Sequence, residues 1–160
     1  MSDPLTTDLV WQEIEKQLFG VLGMVTAKNE ARTVGIVYVV DNRKLYIGSK
    51  RTAWKVRHIA QNSNVSCTIP IHKRIPFMPW IKIPAATITF SGKAVIKKVD
   101  EIPPQVLTTL FEGMTVDEGL MQRTAVIQIT AVNDFITYGV GVSLLDMRTP
   151  AKAQRRVPVG

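Results

Sequence analysis

The run at 33–40, TVGIVYVV, is apolar on both faces of an extended strand. Such a strand is stable only where both faces are covered, as in the interior of a barrel. Its neighbours fit the same setting. VLGMVTAK at 21–28 leads into it through the turn Asn29-Glu30-Ala31, and Asp41-Asn42-Arg43 has hairpin-turn composition before KLYIGS. VSCTI alternates, with Val65, Cys67 and Ile69 on one face. ATITFSGKAVIK alternates through Ile88 and Phe90 with a bend expected at Gly92, and TAVIQITAV and FITYGVGV follow. Turn-length links between irregularly spaced strands argue against βαβ repeats. They predict a mainly β fold, an antiparallel β-barrel of about six strands with a few short helices.

The helices are legible from their stripes. Residues 8–19 place Val10, Trp11, Ile14 and Leu18 on one face, and Gly20 and Gly23 close the segment. Residues 52–62 bury Ala53, Val56, Ile59 and Ala60 behind Thr52 as N-cap. A helical insertion is expected from Pro103 to about Gln122. The 160 residues read as one domain, 1–160, with its helix in 1–20 and a mixed, basic tail at 143–160. One cysteine excludes an internal disulfide framework and fits a reducing compartment. MSDPLTTDLV lacks a secretory pattern, and no apolar stretch approaches the ~20 residues of a spanning helix. The expected setting is the cytoplasm, with no membrane partner.

Charge is distributed unevenly. Residues 42–99 hold twelve Lys or Arg and no Asp or Glu, although the whole chain has a net charge of +7. Lys50, Arg51, Lys55 and Arg57 cluster at the start of the 52–62 helix, where the macrodipole disfavours cations. A phosphate seated there reconciles the two. The rivals are a solvated cationic surface and a nucleic-acid groove. The groove ordinarily interleaves aromatics with its charges, and only Tyr46 and Trp54 are near, so no nucleic-acid partner is expected. Arg32 opens the apolar strand, Gly35 lies within it, and Gly48-Ser49 repeat the small-residue pattern on the next strand. Together they describe a slot for a flat ring with a phosphate tail.

Other chemistry finds little support. His58 and His72 have no Cys or carboxylate at ligand spacing, so no metal is expected. No serine has a nucleophile-elbow context. Gly139-Val140-Gly141 lacks the third glycine of a dinucleotide fingerprint, and Cys67 reads as a core residue. Residues 75–84, IPFMPWIKIP, carry Phe77, Met78 and Trp80 among three prolines and cannot form a central strand. They are expected to be buried against a second subunit.

From 21 to 96, and more loosely to 142, the chain resembles the pyridoxamine 5'-phosphate oxidase-like flavin-binding split-barrel family. The segments are ARTVGIVYVV, LYIGSKRTAWKVRHIAQNSNVSCTI and TITFSGKAVI; the Lys55 helix running into Asn62 and the V-S strand is the most specific part, and Gly92-Lys93-Ala94 adds to it. The resemblance implies a six-stranded antiparallel split β-barrel of Greek-key type and a bound FMN, with deazaflavin coenzyme or haem as the family's alternatives. It implies Arg32 and Lys55 on the phosphate, within the turn that includes Lys50 and Trp54. It implies Thr33, Val34, Gly35, Ile36 and Val37 along the cofactor, Gly48 and Ser49 beside it, and Thr87 reaching it from the other subunit of a homodimer. Trp54 stands where the vitamin-metabolising oxidases have Arg, Thr87 where they have Gln, and the tail lacks their Arg/His signature. Oxidation of pyridoxamine phosphate is therefore not implied. The expected function is that of an FMN flavoprotein oxidoreductase with a small-molecule redox substrate. The alternatives are a non-enzymatic flavin or haem carrier or sensor, and a deazaflavin-dependent reductase.

Overall fold

The computed structural model describes residues 4–160. Among them, eight strands form one antiparallel sheet: β1 (Phe19–Val25), β2 (Ala31–Val37), β3 (Val39–Asp41), β4 (Lys44–Lys50), β5 (Asn64–Ile71), β6 (Ala86–Lys97), β7 (Thr124–Tyr138) and β8 (Gln154–Pro158). The order is β2-β1-β5-β6-β7-β4-β3, and β8 pairs with β7 outside that path. The two outermost strands, β2 and β3, are separated in the chain by Tyr38 alone. In a flat sheet, six interstrand steps would hold them roughly 29 Å apart. One residue extends the chain by no more than about 3.6 Å. The sheet must therefore curl until its edges meet at Tyr38, which makes it a barrel.

Tyr38 is buried, and its hydroxyl donates to the Ile14 carbonyl at 2.7 Å. That carbonyl lies in α1 (Thr7–Lys16), whose N-terminus is capped by the Thr6 hydroxyl accepting from the Leu9 amide. Val10, Trp11 and Ile14 of α1 are buried in the core. The Trp11 ring meets Phe135 edge-on at 5.3 Å, and Phe135 meets Phe90 at 5.4 Å. Burial first, and the nearby Cys67 thiol second, hold the Tyr38 phenol well above its ordinary pKa. Burial likewise pushes the Cys67 thiol up to about 12.

Several elements differ from the sequence reading. Eight strands replace six because the 33–40 run divides at Tyr38 and the tail supplies β8. The two C-terminal runs, by contrast, merge into the 15-residue β7, with Asn133 at φ 64° inside it. The register with β6 shifts between Thr89 and Ser91, so the irregularity precedes Gly92. Gly92 is instead a close approach, since a Cβ there would lie 2.7 Å from Ile129 Cγ2. α1 ends at Lys16, leaving Leu18 exposed and placing Gly20 and Gly23 within β1. The second helix, α2 (Trp54–Gln61), has Ala53 rather than Thr52 at its N-cap, with no side-chain cap bond. Val56 and Ile59 are buried, but Ala60 faces solvent. The insertion is two helices, α3 (Pro104–Leu110) and α4 (Glu118–Arg123), and a four-residue α5 (Pro150–Ala153) precedes β8. No helix among the described residues is long and apolar enough to cross a membrane.

The outside of the barrel is half covered. Val99, Ile102, Val106 and Phe111 of the insertion pack on Tyr46 and Val126, closing the outer face of β4 and β7. On the outer face of β2, β1 and β5 there is no such layer, and Val37 is 66% exposed and Phe19 49%. The 33–40 run therefore departs from expectation. Ile36 and Tyr38 are buried, whereas Thr33, Gly35 and Val37 are not, because β2 is an edge strand with a bare outer face.

Two predictions follow from the seam. Tyr38→Phe should lower stability in urea by about 1 kcal/mol. The loss is limited because the Ile14 carbonyl keeps the Gln17 amide as a partner at 3.2 Å. An unchanged midpoint would mean that the hydroxyl contributes nothing to closure. The second concerns pH. Cys67 and Tyr38 stay neutral in the folded chain above the pH at which the unfolded chain ionises them, near 8.5 and 10 respectively. Their contribution to stability is thus complete below about pH 8.5 and declines as pH rises toward the folded values. Urea midpoints measured from pH 8 to 11 should fall, and Cys67→Val should flatten the first part of the decline.

Candidate functional site

Antiparallel pairing decides which groups share an end of the barrel. Arg32 lies opposite Met24, Met24 opposite Val65, and Asn64 opposite Lys93. The starts of β2 and β5 and the end of β6 thus point one way, and the end of β4 joins them, Lys50 lying opposite Thr124 at the start of β7. From there α2 crosses to pack on β1 and β6. Strand polarity alone gathers Arg32, Lys50, Arg51, Lys55 and Lys93 at this end. The Arg51 amide donates to the Arg123 carbonyl at 2.8 Å, which anchors the basic turn.

The barrel is split on the same side. Pairing between β3 and β4 runs from Asp41↔Lys44 to Val39↔Tyr46 and stops there. Beyond it, β2 pairs only with β1, and β4 from Ile47 onward pairs only with β7. The facing edges of β2 and β4 consequently part at Tyr38 and remain unpaired toward the basic end. Gly35 and Val37 lie on one lip, Gly48 on the other. A Cβ at Gly48 would have no atom within 4 Å, while one at Gly35 would lie 2.9 Å from the Phe19 ring.

The electrostatics favour an anion. Among the described residues, none of Lys50, Arg51, Lys55 or Arg57 forms a salt bridge with a carboxylate. Arg32 does, donating to Glu30 at 2.6 Å, but both partners are about half exposed. Such a pair contributes little and yields readily to a stronger acceptor. Arg32 and Thr33 also border a crevice of about 310 Å³ with Gly23, Asn64 and Ser66, and Lys93 donates to the Asn64 side-chain oxygen.

The candidates from the sequence are thus partly united. Arg32, Thr33, Gly35, Val37, Gly48, Lys50 and Lys55 lie on the lips of the split or at the basic end. Val34 and Ile36 alternate to the other side of β2, and Ile36 is buried in the barrel core. Ser49 is buried too, its hydroxyl donating to the Lys50 carbonyl at 3.4 Å. Gly35 and Gly48 are not on paired neighbouring strands; they lie on either side of the split because β2 and the β4-β3 pair stand at opposite ends of the strand order. Trp54 is exposed, with its ring 5.7 Å from His58. Thr87, three strands from β2, lies at the opposite end of the barrel from Arg32. Asn64 and Ser66 were not singled out from the sequence, and Lys93 entered only within the Gly92-Lys93-Ala94 match. The alternation that turns Val65 and Cys67 inward already turned Ser66 outward.

No known protein-family profile matches the chain, and no curated protein matches it. Solved structures do. A putative pyridoxamine 5'-phosphate oxidase from Listeria innocua aligns with a TM-score of 0.59 at 18% identity, over 78% of this chain and 92% of its own. HutZ, the heme storage protein of Vibrio cholerae, aligns at 0.65 and 16% identity, over 86% and 98%. An F420 reductase aligns at 0.55 and 14%, over 81% and 95%. The curled antiparallel sheet, its seam at Tyr38 and its split edge thus give this chain the split-barrel fold of the pyridoxamine 5'-phosphate oxidase-like proteins.

Proposed function

We propose that the chain binds FMN along the split and works as a flavin-dependent oxidoreductase on a small-molecule substrate, as a homodimer. The observation that carries this is the opening between the unpaired edges of β2 and β4, with small residues on its lips and uncompensated cations at its end. The residues fit the group. A planar ring needs a gap, which is open at Gly48 and at Gly35 is bordered only by the half-exposed Phe19 ring. A phosphate needs cations not already neutralised, and Lys50 and Lys55 meet that condition, whereas Arg51 shares a crevice with Asp100 and Glu118. Free backbone amides along both lips could donate to the ring's polar rim. When bound, flavin supplies hydride or electron transfer, while the protein sets orientation and electrostatics. The lips present no acidic or basic side chain where the ring would lie, so the chain would hold and orient it without a side-chain proton donor beside it.

The dimer rests on the bare outer face. Phe19, Val37 and Ile136 lie there exposed, and Thr68 and Thr89 share a hydrogen bond between β5 and β6 on the same surface. A second copy would supply the layer that the insertion provides on the other side. It would also let Thr87 reach a site from which it is remote in its own chain. The names of the HutZ and F420 reductase neighbours support a second reading, a haem or flavin carrier or a deazaflavin-dependent reductase. The visible spectrum of the purified protein separates these: flavin bands favour FMN, a Soret band favours haem, and no colour leaves deazaflavin or an empty site.

Three substitutions test the site. Lys55→Ala and Arg32→Ala should each weaken FMN by roughly tenfold to a hundredfold, the loss of a charge-assisted bond. Riboflavin, which lacks the phosphate, should lose much less, and equal losses in a fluorescence titration would place the phosphate elsewhere. Gly35→Val should leave the strand folded but lower the flavin-to-protein absorbance ratio; full occupancy would remove Gly35 from the site. For the dimer, Val37→Lys should yield monomer by light scattering, and a wild-type monomer would end the idea.

A further inference from the structure

The chain between β5 and β6, residues 75–84, projects from the barrel end opposite the basic turn. Its apolar side chains are not covered: Phe77 is 96% exposed and Trp80 73%, with Met78 and Ile81 also in solvent. Two turns shape the tip, closed by the Met78 amide on the Ile75 carbonyl at 3.2 Å and the Ile81 amide on the Met78 carbonyl at 3.1 Å. Phe77 sits at φ 66°, a left-handed conformation rare for a bulky residue, between Pro76 and the turn that ends in Ile81. Its ring is turned out of the fold.

Cations frame the tip. Lys73 and Arg74 precede it and Lys82 follows it, with no acidic residue anywhere between 42 and 99. The one carboxylate that shares a crevice with Lys73 is Glu13 of α1, which accepts from Lys16 at 2.8 Å. An exposed patch of large apolar side chains marks a docking surface. Aromatic rings beside Lys and Arg are the composition that settles at the boundary between lipid headgroups and acyl chains.

We propose that this loop docks the protein on an anionic lipid bilayer, Phe77 and Trp80 entering the interface while Lys73, Arg74 and Lys82 face the headgroups. Charge favours this partner over a loop-to-loop contact with a second copy of the chain. Loop-to-loop packing about a two-fold axis would set the same three cations against themselves. An anionic membrane complements them, and the uncharged face of β1, β2 and β5 already offers a surface for self-association. The sequence expectation of no membrane partner rested on the lack of a spanning helix; a peripheral loop does not need one. The proposal is independent of the cofactor.

The test is co-sedimentation of the full chain with phosphatidylcholine vesicles, with and without phosphatidylglycerol. Binding should require phosphatidylglycerol, weaken as salt rises, and shift Trp80 emission to the blue, a shift lost in Trp80→Phe. Phe77→Ser with Trp80→Ser should abolish binding at an unchanged melting temperature, because neither side chain is packed. Replacing Lys73, Arg74 and Lys82 by Gln one at a time should weaken binding by about fivefold each. This series also carries the test should the double variant misfold. No binding to either vesicle, or unchanged binding by the loop variants, overturns the proposal. So does conversion of a wild-type dimer to monomer by the double variant, which would make the loop a subunit contact.

Discussion

Tyr38 has to do two things at once. It must carry the chain from one edge of a seven-strand path to the other within a single residue, and it must bury a phenol. The hydrogen bond to the Ile14 carbonyl makes the second possible, since a buried hydroxyl without a partner would carry an uncompensated desolvation cost. It also ties α1 to the seam, so the helix that plugs the barrel is positioned by the residue that closes it. The edge-to-face contacts from Trp11 through Phe135 to Phe90 then extend that junction across the core.

The split is a consequence of the same geometry. With β3 only three residues long, the seam is zipped on one side of Tyr38 and open on the other. Each open lip keeps a row of unpaired amides and carbonyls, a liability that proteins ordinarily cover or blunt. Here the lips are neither charged nor bulged. Their small residues and the cations beyond them suit a flat anionic ligand, which would satisfy the edge and neutralise the turn together.

Much of the strand layout could be read from the sequence, because alternation and turn chemistry are local. The hairpin turn that composition suggested at 41–43 is the two-residue link between β3 and β4, where Asn42 and Arg43 both take positive φ. Boundaries failed where tertiary contacts overrode local signals. Leu18 continues the α1 stripe but lies beyond the helix, since the chain is already extended at Gln17 to enter β1. The exposure of β2 was not legible either: an apolar run shows that something covers a strand without saying whether it belongs to the same chain. Gly35 and Gly48 were found by composition, but their meeting across a gap depends on strand order, which no local pattern encodes.

The uneven charge carries a further physical consequence. The acid-free window 42–99 contributes α2, β5 and β6, so its cations divide between the two ends of the barrel instead of accumulating at one. Lys50, Arg51 and Lys55 sit by the split; Lys73, Arg74 and Lys82 sit by the apolar tip. Strands of eight and twelve residues separate the groups by roughly 25 Å, several times the Debye length of about 8 Å at physiological salt. The clusters therefore act as separate sites, and neutralising one leaves the potential at the other nearly unchanged. A chain of modest net charge can in this way hold two separate cationic surfaces.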